Sequence, residues 1–143
     1  MWLLFALGAS LFWGATYVFN EEVYKKISVF TSLSLASFVV FIATLFIAYF
    51  AGTLKPDLVA IVSSKRLLWY VVGGILALLI AEIFIGFSIT AKSATLAGLV
   101  EISYPIFIAL FSYLLFKSRV SVSTLIGGGI IFCGIFVIYY FNR

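Results

Sequence analysis

The stretch LAGLVEISYPIFIAL, residues 96–110, is apolar helix interrupted by one carboxylate, Glu101, and then by a helix breaker, Pro105. A charge at the centre of a membrane helix costs about 2.5–3.5 kcal/mol on insertion scales, so a carboxylate there needs a purpose or a partner. Whether this stretch lies in lipid is decided by the rest of the chain. Of 143 residues, 65% are hydrophobic and 10% charged. A soluble domain carries about a quarter charged residues. Apolar runs of about twenty residues recur, each long enough to cross the roughly 30 Å hydrocarbon core of a bilayer. The chain therefore reads as an all-α integral membrane protein.

The formal charge of +4 does not point to nucleic acid, because the nine Lys and Arg residues are scattered through short loops and form no basic stripe. Cations beside membrane spans normally meet headgroups and set orientation. Cys133 is the lone cysteine and the chain has no histidine. No internal disulfide is expected, nor any metal or other cofactor. An intramembrane enzyme is the least expected class, since no activated nucleophile stands beside a base.

Five spans are expected, over about residues 2–19, 29–50, 67–89, 94–116 and 121–141, in one domain covering 1–143. Residues 1–19 read as a retained span rather than a leader, because no Lys or Arg precedes Lys25 and bulky aromatics continue where a cleavage site needs small residues. The segment NEEVYKKIS reads as a loop. Pro56 and Asp57 open DLVAIV, a short helix expected in the interface. Arg66, Trp69 and Tyr70 form an aromatic and basic boundary to the third span. Ser93 is the expected N-cap of the fourth. Small residues recur at Ala6, Ser10 and Gly14, at Gly73, Ala77 and Ala81, and at Gly127 and Gly134. These stripes are expected to mark the faces on which helices meet.

Two acids fall inside spans, Glu82 and Glu101. The turn between the third and fourth spans centres between Ala91 and Lys92, with the acids nine or ten residues to either side of it. At 1.5 Å per residue both sit about 14 Å below the turn, near the midplane. Pro105 has no N–H, so the Glu101 carbonyl loses its helical donor and that turn is pushed apart. Broken backbone at this depth is tolerated only against protein or a water-filled cavity, and transporters place substrate and ion sites there. Glu82 and Glu101 are thus expected either to share a proton as an interhelical hydrogen bond or to carry protons and substrate as a coupled pair. Trp13 and Tyr17 lie one turn apart on the first span, and Tyr104 lies close to Glu101. An aromatic-lined cavity with a carboxylate suits an amphipathic cation or a zwitterion such as an amino acid. For each aromatic alone, lipid contact or bundle packing is the commoner role.

The segments SLFWGATYVF, SATLAGLVEISYPIFIALFSYLLF and LIGGGIIFCGIFVIYY together resemble the EamA-like family of the drug/metabolite transporter superfamily. The markers are Trp13–Gly14, Pro105, Gly127 and Gly134, and the likeness covers nearly the whole chain. The resemblance implies a five-helix bundle equivalent to one inverted-repeat half of a ten-span transporter, and efflux or exchange of small metabolites or drugs. The chain departs from the family's pattern at Ser37–Phe38, where relatives often have an arginine, and at KSRV, where they often have a glutamate. Relatives of the small multidrug resistance branch carry a functional glutamate in the first span, and residues 2–19 hold none.

The leading expectation is a proton-coupled secondary transporter in a prokaryotic cell membrane. Its site residues are Glu101, Glu82, Pro105, Tyr104, Trp13 and Tyr17. The alternatives are a lipid-linked metabolite flippase subunit and a non-transporting subunit of a larger complex. The partners expected are a small-molecule substrate, protons and the lipid bilayer. Lys55, Lys65, Arg66, Lys117 and Arg119 fall on one side of the membrane, and Lys25, Lys26, Lys92 and Arg143 on the other. So small a bias is compatible with insertion in both orientations and an antiparallel homodimer. A heterodimer with a second five-span half is the rival.

Overall fold

A computed structural model describes residues 1–141, and among them the chain forms helices and no strand. The helices are α1 (Trp2–Tyr24), α2 (Val29–Phe50), α3 (Leu54–Ser63), α4 (Lys65–Ala91), α5 (Ala94–Glu101), α6 (Tyr104–Phe116) and α7 (Val122–Phe141). α1, α2, α4 and α7 are each long and apolar enough to cross a membrane, and α5 and α6 do so together as Ala94–Phe116. The five-span helical bundle implied by the composition is therefore present. Arg143, counted above on one side of the membrane, lies outside the described residues.

Serine hydroxyls start four of the helices. Ser28 accepts from the Thr31 N–H at 3.2 Å, Ser64 from Leu67 at 3.3 Å, Ser93 from Leu96 at 3.3 Å and Ser121 from Thr124 at 3.1 Å. Each satisfies one of the donors that a helix start leaves without a partner. Gly52, at φ +72°, turns the chain from α2 into α3, a conformation that glycine adopts at little steric cost. α6 ends on Lys117 in the left-handed region, with its ammonium 5.7 Å from the centre of the Tyr113 ring. Arg66 at the start of α4 donates to the Tyr70 hydroxyl at 2.8 Å.

Two expectations need correction. α1 does not stop at residue 19 but continues to Tyr24, so Glu21 and Glu22 are helical, and Glu22 pairs with Lys25. The two acidic residues do not end the helix. The fourth span keeps its expected bounds, and the break expected between Glu101 and Pro105 lies at Ile102 and Ser103, whose N–H groups bond to Gly98 and Val100 at 3.2 Å each. The small-residue stripes do not mark contacts within the chain. A Cβ added at Gly14, Gly73, Gly127 or Gly134 would meet nothing within 4 Å. The close approaches are at other glycines. A Cβ on Gly86 would lie 2.4 Å from Val29, one on Gly128 2.7 Å from Ile106, and one on Gly98 3.2 Å from the Tyr17 ring.

Burial is concentrated at one end of the bundle. Tyr17, Ile89, Ala94 and Ala97 form the core cluster, with Tyr24 and Ile85 packed against it. Those residues come from the end of α1, the end of α4 and the start of α5, and buried Val29 opens α2 beside them. The other end of α1, from Trp2 to Trp13, is largely exposed, as are most of the large apolar side chains. In water so much exposed apolar surface would drive aggregation; in a bilayer it is solvated by acyl chains.

Candidate functional site

Between α1 and the α5–α6 segment lies a groove of about 590 Å³. Ser10, Trp13, Gly14, Tyr17 and Val18 form one wall. The other runs from Ala94 and Thr95 through Gly98 and Glu101 to Tyr104. α1 and α5 run antiparallel, so residues far apart in sequence meet across the groove.

The decisive contact joins the two walls. The Tyr17 hydroxyl donates to Oε2 of Glu101. Tyr17 is 8% exposed and Glu101 half-buried, so the pair is held mostly away from water. Trp13 packs on Tyr17 with ring centroids 5.9 Å apart and planes tilted by 60°. Gly98 permits the close approach, because its missing side chain leaves room for the Tyr17 ring. Glu101 is the last residue of α5, and Tyr104 the first of α6, so the break in the helix presents both to the groove.

Residues 1–140 match the EamA-like transporter family. The chain belongs to that family. No curated protein and no solved structure matches it significantly. As an EamA-like chain it is an integral, multi-pass protein of the drug/metabolite transporter superfamily, a family of small-molecule transporters rather than enzymes.

The EamA-like chain brings four of the six candidate residues to its groove: Glu101, Tyr17, Trp13 and Tyr104. Pro105 and Glu82 are not on its walls. Pro105 occupies the first turn of α6, where a residue without an N–H costs nothing, and its place is in the backbone of the break. Glu82 is half-buried on α4 and makes no hydrogen bond among the described residues. It interacts electrostatically with Glu101, Tyr17 and Tyr24.

Two participants were not identified from the sequence. Gly98 was hidden among other small residues, and no stripe pointed to it. Glu21 was assigned to a loop, yet its carboxylate accepts the Ala94 N–H at 2.7 Å. One signal could have found it. Trp13, Tyr17 and Glu21 recur every four residues and so share a face of one helix.

Proposed function

We propose that this chain is a secondary transporter for small amphipathic cations, exchanging substrate against protons at Glu101. What carries the reading is the Tyr17–Glu101 pair on the wall of an aromatic groove. A carboxylate held by a phenol is satisfied while the groove is empty, and a bound cation would compete for the same oxygen. Trp13, Tyr17 and Tyr104 supply ring faces for a positive charge or an apolar body. No Lys or Arg lines the groove among the described residues, which favours a cation over a zwitterion whose carboxylate would stay unpaired. Glu82, half-buried on α4, is the second acid of the proposed coupled pair.

The test is uptake into proteoliposomes over a panel of lipophilic monocations, polyamines and amino acids, with and without an imposed pH gradient. Monocations should accumulate when the gradient is present and equilibrate without it. Uptake of amino acids alone, or uptake indifferent to the gradient, would overturn the cation–proton assignment.

A second reading is favoured by one feature. α1 and α5–α6 supply the groove's walls, leaving its remaining side for lipid or another chain. A groove open sideways suits a lipid-linked metabolite, whose head enters while its tail stays in the bilayer. The same feature supports a dimer, whose second copy, inserted in the opposite orientation, would complete the cavity. C-terminal reporters active on each side of the membrane are expected for an antiparallel homodimer. Strictly one-sided signal leaves the heterodimer.

A further inference from the structure

At the end of the groove away from Tyr104, α1 and α5 are tied a second time. Oε2 of Glu21 accepts the backbone N–H of Ala94 at 2.7 Å, a contact between residues 73 apart in sequence. Ala94 is the first residue of α5, and its N–H is one of those a helix start leaves without an internal partner. Ser93 supplies the neighbouring cap, on Leu96. One face of α1 therefore grips the short helix at both ends, Tyr17 on its last residue and Glu21 on its first. The buried cluster of Tyr17, Ile89, Ala94 and Ala97 fills the space between these contacts. This end of the groove lies beside the α4–α5 turn and Lys92, where Ala94 and Tyr17 are buried, while the walls beside Ser10 and Trp13 are exposed.

We propose that Glu21 is a gating residue: its hydrogen bond to the Ala94 N–H latches the Lys92 end of the groove, and its release lets α5 swing at the Ile102–Ser103 break. The break supplies the joint, because Ser103 and Ile106 bond three residues back instead of four and Pro105 contributes no donor. The rim supplies the means of release. Lys25 and Lys92 are exposed in the neighbouring turns, and water there can take up the freed carboxylate and the freed amide. The purpose of the gate rests on the transporter reading; the latch itself rests on the contact and the break.

The latch is tested by cysteine labelling in nanodiscs, where both faces are accessible, in a Cys133→Ala background. The reporter is Ala97→Cys, at a core position 3% exposed, treated with a small cationic methanethiosulfonate. Glu21→Gln keeps an amide oxygen that can accept the same N–H but not the charge, and its labelling should fall between that of Glu21 itself and that of Glu21→Ala. Glu21→Asp shortens the reach by one methylene, and Glu21→Ala removes the acceptor. Both should label at least about tenfold faster, the weight of one hydrogen bond to a charged acceptor. A second reporter, Val29→Cys, is buried at the start of α2 and should not accelerate. Unchanged Ala97→Cys rates in Glu21→Asp, or equal acceleration at both reporters, would overturn the latch. Glu21→Asp keeps the charge, so the test survives if Glu21→Ala does not fold. Acceleration at Ala97→Cys in a chain that moves no substrate keeps the latch and removes the transporter reading. Proton-driven uptake with flat labelling does the reverse.

Discussion

Glu101→Gln is expected to abolish transport driven by a pH gradient and to weaken cation binding by about ten- to a hundredfold, the range for losing a hydrogen bond or ion pair to a charged group. Glutamine keeps the volume, and its amide oxygen can still accept from the Tyr17 hydroxyl. The contact that joins α1 to α5 is thereby preserved and the bundle should insert and fold. What is lost is the ability to ionise. Uptake in proteoliposomes, with thermal melting as the folding control, checks the outcome. Glu82→Gln should have the smaller effect, because Glu82 does not line the groove. Wild-type transport by Glu101→Gln would leave Glu101 only a structural role, as the acceptor for Tyr17.

The second large effect is expected at a residue without a side chain. Gly98→Val places a Cβ 3.2 Å from the Tyr17 ring and adds two methyl groups beyond it. The ring cannot retreat freely, since Tyr17 is buried and Trp13 packs on it. Overpacking of this kind costs about 1–3 kcal/mol and shifts the ring away from Glu101. Transport should fall to background and the melting temperature should drop. Gly74→Val is the control, because a Cβ there meets nothing within 4 Å. A Gly98→Val variant that transports like wild type would show that the Tyr17–Glu101 pair is dispensable.

Hydropathy and length revealed the spans because the bilayer imposes a fixed thickness on every helix that crosses it. The second was legible to the residue, as Val29–Phe50, since Ser28 caps its start. α1 was cut short because Glu21 and Glu22 made a helical turn look like a loop. Pro105 announced the break and the turn in which it falls. The missing N–H concerns the carbonyl four residues earlier, and the chain opens at Ile102 and Ser103 between the two. Glu101 was legible as a chemical anomaly. Its partner was not, because the Tyr17 contact depends on how α1 is rotated about its own axis. The same ignorance of rotation misassigned the glycines: Gly14, Gly73, Gly127 and Gly134 form the visible patterns, while Gly86, Gly98 and Gly128 make the contacts.

The two-walled groove has a consequence for measurement. Its third boundary is whatever molecule lies against it, whether an acyl chain, a detergent tail or another copy of the chain. Such a molecule acts as a competitor for the substrate's apolar portion. Apparent affinity is then a ratio of occupancies, and by mass action it falls as the competing tail becomes more abundant or fits better. Dissociation constants from two detergents should disagree systematically with tail length, while chemistry confined to the Tyr17–Glu101 pair stays the same.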